Sequence, residues 1–116
     1  MIVKRIVTNL AATNVSMVKQ FYAEMFDLEV VMDQGWIVTL AASAKMAPQI
    51  SIASDGGAGT AVPDLSIEVD DLDEALRRVR AAGIVVEYGP RSEPWQVRRF
   101  YVRDPLGRLI NILAHD

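Results

Sequence analysis

One pattern of strand, helix and three strands is written twice in this chain, and few folds can use it. The first copy opens with an alternating segment from Ile2 to Leu10. Asn14 can cap a helix, because its side chain accepts from amides that the first turn leaves free. Val18, Phe21, Tyr22 and Met25 follow at i, i+3, i+4 and i+7, the spacing of one apolar helix stripe. Leu28 to Met32, Trp36 to Ala41 and Gln49 to Ala53 then read as strands. The second copy begins with a strand from Leu65 to Asp70. Asp71 and Glu74 have capping-box spacing, and Leu72, Ala75, Leu76 and Val79 form the helix stripe. Gly83 stands where a left-handed residue ends a helix. Ile84 to Tyr88, Val97 to Arg103 and Leu109 to Ala114 complete the repeat. The two caps lie 57 positions apart (71 − 14).

This pattern predicts an α+β fold of two tandem βαβββ modules in one domain, residues 1–116. The first module covers about 1–53 and the second about 64–116. Ser54 to Pro63 is a linker by composition. Its glycines are not followed by the Lys-Ser/Thr of a phosphate loop, and no helix starts there. Helices on one face of the strands would leave the other face as a shared concave wall of a curved mixed sheet.

Composition narrows the partners. Net charge is −3, which argues against nucleic acid. No cysteine is present, so disulfides, zinc thiolates and thiol nucleophiles are excluded. No apolar run nears the roughly 20 residues that span a bilayer, and the N-terminus alternates like a strand rather than a signal segment. A cytoplasmic protein without membrane contact is expected.

Strand alternation sorts the side chains. Asp104-Pro105-Leu106-Gly107 suits a tight turn that sets Tyr101 opposite Asn111 and Arg103 opposite Leu109. Phe100, Val102, Ile110 and Ile112 then pack under a helix, while Arg99, Tyr101, Arg103 and Asn111 face away. A one-residue slip would drive arginines into the core. Leu65, Ile67 and Val69 pack, with Asp64, Ser66 and Glu68 opposite. In the first strand Ile6, Thr8 and Leu10 pack, with Arg5, Val7 and Asn9 opposite. The expected wall therefore holds Asn9, Asp64, Ser66, Glu68, Arg99, Tyr101 and Asn111, with Glu68 placed to pair with Arg99.

These segments together resemble the vicinal oxygen chelate superfamily of glyoxalase I, bleomycin resistance proteins and extradiol dioxygenases. The carriers are Asn14 to Val31 with Phe21-Tyr22, Ile67-Glu-Val-Asp-Asp-Leu72, and Asp104-Pro-Leu-Gly-Arg-Leu-Ile-Asn111. Asp27 stands where the family usually has glycine, and Asp tolerates the left-handed geometry of that turn. The resemblance implies metal ligands on the first and last strands of each module. Here those positions hold Val7, Gln49 or Ser51, Asp64 and Asn111. Asp64 could bind a metal and Asn111 is a neutral, weak ligand; one carboxylate plus amides makes a poor divalent site, so no metal cofactor is expected. His115, the only histidine, reads as a frayed surface residue.

The residues and the resemblance together point to a metal-free protein that binds a small molecule in the concave cavity, for sequestration or sensing. Trp36, Trp95 and Tyr101 would supply aromatic walls. Glu68, Arg99 and Asn111 would orient the ligand, with Asn9 and Asp64 on the same wall. The alternative is a metal-dependent lyase, isomerase or dioxygenase resembling glyoxalase I, with Glu68 as a base whose pKa is raised by burial. A metal-free enzyme using Glu68 or Asp64 as base and Arg99 as enolate stabiliser is a third reading. The resemblance also implies a homodimer.

Overall fold

A computed structural model of the chain describes residues 1–43 and 49–115. The element order is β1 (Val3–Ala11), α1 (Val15–Phe26), β2 (Glu29–Asp33), β3 (Ile37–Ala41), β4 (Gln49–Ala53), β5 (Leu65–Val69), α2 (Leu72–Ala81), β6 (Tyr88–Glu93), β7 (Val97–Arg103) and β8 (Leu109–His115). The repeated βαβββ pattern is therefore present. Two compact units divide the chain: Val7–Val62, and Met1–Ile6 with Pro63–Asp116. Strand β1 runs through the boundary, so its first residues belong with the second module.

In the unit Val7–Val62 the strand order is β2-β3-β4-β1. Strand β1 runs parallel to β4, with Asn9 opposite Ser51, and β3 is antiparallel to both its neighbours. The Asn14 side chain accepts from the Met17 amide at 3.1 Å, as the cap requires. Asp27 ends the helix at φ 53°, ψ 39°, the left-handed geometry that the glycine replacement demands. Val15, Val38, Leu40 and Ile52 form the core, with Leu10, Val18, Tyr22, Leu28 and Ile50 packed on it.

Two expectations fail in β1 and α1. Of the expected stripe only Val18 and Tyr22 pack inward, while Phe21 is 52% exposed and Met25 62%. Ile6 is 59% exposed and Thr8 is exposed, whereas Val7 is buried. Alternation sorts these residues onto faces, but it does not say how far along a strand the covering helix reaches.

Ser54 to Pro63, the expected linker, carries hydrogen bonds of its own. Asp55 Oδ1 accepts from the Gly57 amide at 2.6 Å, the Gly56 amide donates to Thr60 O at 2.8 Å, and the Thr60 hydroxyl donates to Gly57 O at 2.7 Å. A Cβ on Gly56 would sit 2.0 Å from Ala61 O, so glycine is needed there for space. The loop from Ala42 to Pro48 lies largely outside the described residues.

In the second unit the order is β5-β8-β7-β6. Asp71 caps α2 through the Glu74 amide at 3.0 Å, and the Glu74 carboxylate turns to Arg77 and Arg78. Gly83 adopts φ 74° beyond the helix end, and the Ile84 amide returns to Val79 O at 3.1 Å. That return displaces the expected strand from Ile84 to Tyr88. Ile84 and Val85 are exposed, and β6 begins only at Tyr88. Its Pro90 is tolerated because β6 is the last strand in the order.

The turn after β7 forms as expected. Gly107 has φ 80°, its amide donates to Asp104 O at 2.9 Å, and Asp104 Oδ1 accepts from the Leu106 and Arg108 amides. The register follows, with Tyr101 opposite Asn111 and Arg103 opposite Leu109. Val69, Leu72, Ala75, Leu76, Phe100, Val102 and Ile110 make the core between α2 and one sheet face. Phe100 is fully buried there.

The N-terminus is tied into this unit. The Ile2 amide donates to Asp70 Oδ1 at 2.6 Å, and the Asp70 amide donates to Ile2 O at 3.0 Å. Among the described residues no helix is long and apolar enough to cross a membrane.

Candidate functional site

The sheet face turned away from α2 holds the polar side chains. Tyr88 pairs with Tyr101 across β6 and β7, Tyr101 with Asn111 across β7 and β8, and Ser66 with Asn111 across β5 and β8. One transverse row thus runs Tyr88, Tyr101, Asn111, Ser66. Two of its members are buried, Tyr101 at 3% exposure and Asn111 at 7%, and Arg99 beside them is 3% exposed. A face left bare by its helix would ordinarily be wet. This one is not.

Arg99 is the centre of a buried cluster. Its Nε donates to Glu93 Oε1 at 3.3 Å and its Nη1 to the Tyr101 hydroxyl at 2.8 Å. The guanidinium carbon lies 5.0 Å from the Tyr101 ring centroid, 5.1 Å from Trp95 and 5.2 Å from Tyr88, within cation–π range of all three. Tyr88 Oη donates to Glu93 Oε1 in a short hydrogen bond. Burial, and then the bond to the Glu93 carboxylate, hold the Tyr88 phenol above its ordinary range.

The expected pair of Glu68 with Arg99 is not formed, because each has another partner. Glu68 Oε1 accepts from Arg5 Nε at 2.6 Å, and Oε2 lies 3.1 Å from His115 Nδ1. Burial pushes the Glu68 carboxyl up, but hydrogen bonds from Arg5 and His115 outweigh it, and the net shift is downward. A general base needs the opposite shift, so Glu68 lacks the raised pKa on which its candidate role as base depends. His115 is likewise no frayed end. It closes β8 and joins the N-terminal strand to β5 through Glu68.

The other expected residues fall elsewhere. Asp64 latches the start of β8: its Oδ2 accepts from the Leu109 amide at 3.1 Å, and its own amide donates to Leu109 O at 2.9 Å. Trp95 joins the Arg99 cluster. Asn9 and Trp36 belong to the other compact unit, Asn9 half-buried in β1 and Trp36 half-buried just before β3.

Glu93 and Tyr88 are the residues that sequence reasoning missed. Arg99 on a buried face required a carboxylate, and Glu93 in the segment before β7 was available to supply it. The signal was the demand, not a motif.

Asn111 carries the remaining peculiarity. Its Nδ2 donates to Ser66 Oγ at 3.1 Å, while its buried Oδ1 has no hydrogen-bond partner. Turning the amide over would exchange the two atoms and leave the other one to be satisfied.

Of the positions implied for a metal, only Asp64 carries a carboxylate. Val7 is apolar, Ser51 Oγ lies 2.6 Å from Thr39 Oγ1, Asp64 is engaged by a backbone amide, and Asn111 is a neutral amide. Among the described residues no group of three or more His, Cys, Asp or Glu could hold a metal ion.

Element order, strand order and the helix-free polar face together define the glyoxalase/bleomycin resistance fold. A crystal structure of a superfamily member of that name from Vibrio splendidus 12B01 superposes with TM-score 0.65 at 17% identity, over 99% of this chain and 100% of that one. A variant of methylmalonyl-CoA epimerase from Streptomyces coelicolor, in complex with 2-nitronate-propionyl-CoA, gives 0.73 at 17% identity, over 98% and 96%. A Legionella pneumophila structure described as an NAD-dependent benzaldehyde dehydrogenase gives 0.77 at 15% identity, over 97% and 100%. At these identities the likeness is one of fold. The Glyoxalase-like domain family matches residues 6–114, and the chain belongs to it. No curated protein matches the sequence.

Proposed function

We propose that this glyoxalase-like protein binds a small molecule against the polar sheet face of its second module, without a catalytic metal, to sequester or sense it. The observation that carries the reading is the unsatisfied buried amide oxygen of Asn111. A buried acceptor without a donor costs about 1–3 kcal/mol, and a ligand N–H or O–H would remove that cost. Tyr88, Tyr101 and Trp95 offer aromatic area beside it. Arg99 and Glu93 neutralise each other, which favours an uncharged group at that end of the ligand. Asn9 and Trp36 lie in the other unit and are not assigned to this surface. Asp64 and Glu68 are assigned structural ties instead. The reading includes a cytoplasmic homodimer with neither nucleic acid nor membrane as partner.

The test is a thermal-shift and calorimetric screen of planar compounds bearing one N–H or O–H donor, with and without chelator. A ligand present at about 100 times its Kd should stabilise wild type by about 2.7 kcal/mol. Asn111→Leu should lose that response while still folding, and chelator should change neither result. Stoichiometric bound transition metal with metal-dependent turnover would overturn the reading in favour of a lyase, isomerase or dioxygenase.

A further inference from the structure

The apolar sector of α1 is wider than the surface its own unit covers. At 100° per residue, Val15, Val18 and Tyr22 form the half that sits on the core. Met17, Phe21 and Met25 follow at i, i+4 and i+8 and form a second row beside it. These three are 63%, 52% and 62% exposed, and Phe26 at the helix end is 61% exposed. The charged residues of the helix, Lys19 and Glu24, lie outside the row, with Gln20 Nε2 bonded to Glu24 at 3.0 Å. The Phe21 ring stands edge-on to Tyr22 at 5.2 Å and lies 6.4 Å from Phe26. The patch is thus continuous with the core through Tyr22.

We propose that this row is a self-association surface, covered by α1 of a second copy packed antiparallel about a two-fold axis at Phe21. The proposal rests on the homodimer named above and locates it. The row is its own complement. Reversal about Phe21 exchanges Met17 with Met25 and returns Phe21 to itself, so each of the three side chains of the row meets another. The charges permit it as well. The same reversal keeps the two Glu24 carboxylates roughly 9 Å apart along the helix axis, nearer the partner's Met17 and Gln20 than each other.

Area sets the strength. At roughly 200 Å² for a fully exposed side chain of this size, the four residues present about 480 Å² per copy. Covering both copies removes about 950 Å², at the low end of specific interfaces. Methionine and phenylalanine are the residue types that interface cores favour. An interface of that size fits a weak, concentration-dependent dimer.

Sedimentation equilibrium of the full chain over a micromolar to millimolar series tests this. Wild type should rise from one chain mass toward two. Phe21→Glu should weaken association by about 30-fold or more, with an unchanged circular dichroism spectrum. Leu106→Glu, at an 85% exposed turn position, should behave as wild type. The chain has no cysteine, so Phe21→Cys alone should give a disulfide-linked dimer under diamide, which oxidises the two thiols. Leu106→Cys should not. A wild-type dimer indifferent to Phe21→Glu refutes this surface and leaves the homodimer standing. A wild type that stays monomeric throughout refutes both.

Discussion

Replacing Glu93 by leucine would leave the Arg99 guanidinium buried without its carboxylate. The two side chains are 1% and 4% exposed, so water cannot take over the lost partner. Removing one member of a buried ion pair costs about 3–5 kcal/mol. Three aromatic rings at 5.0 to 5.2 Å retain some attraction for the cation, which places the expectation near the lower figure, about 3 kcal/mol. For a domain of this size that lowers the melting temperature by about 12–20 °C. Urea unfolding followed by tryptophan fluorescence and circular dichroism reads the change directly, since Trp95 is part of the cluster. The double variant Glu93→Leu/Arg99→Met should recover most of the loss, because a buried pair exchanged for apolar groups of similar volume is often neutral. A loss below about 1 kcal/mol in the single variant, or a double variant no better than the single, would refute the claim that this pair is buried and coupled.

Three further outcomes are expected. Tyr88→Phe should cost about 1–2 kcal/mol through the lost hydrogen bond to Glu93, whose Oε1 keeps only Arg99, and should remove a phenol transition lying above the usual value near 10 in a spectrophotometric pH titration. Glu68 has a folded pKa below its ordinary 4.5, so its contribution to stability is complete above that value and is lost as pH falls through the folded value. Glu68→Gln should therefore flatten the acid limb of stability against pH, as read by urea midpoints between neutrality and acid. Gly56→Ala would set a Cβ 2.0 Å from Ala61 O and 2.3 Å from Thr60 Oγ1, so it should destabilise by about 1–3 kcal/mol in thermal melts.

The β7–β8 hairpin was legible because local chemistry decides it. Asp104 and Gly107 fix the turn, and the turn fixes which residues share a face. The caps at Asn14, Asp71 and Asp27 were legible for the same reason. Errors entered where partners come from afar. Glu68 and Arg99 share a face, but Arg5, His115 and Glu93 reach them first. No pattern in residues 84–93 announces that Gly83 turns Ile84 back to the helix and delays β6. The α1 stripe was read from its period, and a period cannot tell an apolar row facing a core from one facing outward.

On the polar face of the second module the ionisable groups already have partners within the protein. Burying Arg99 is costly unless a carboxylate and hydrogen-bond partners come with it, and Glu93, Tyr88 and Tyr101 are spent on that task. Glu68 is likewise spent on Arg5 and His115, and Asp64 on the start of β8. A catalytic acid or base must be able to change its proton count during turnover, and a carboxylate held ionised by a cation resists that change. What the row leaves available is the amide oxygen of Asn111, an acceptor that orients a donor but moves no proton. The proposed binding role asks of these residues only that they hold the face in shape while Asn111 accepts.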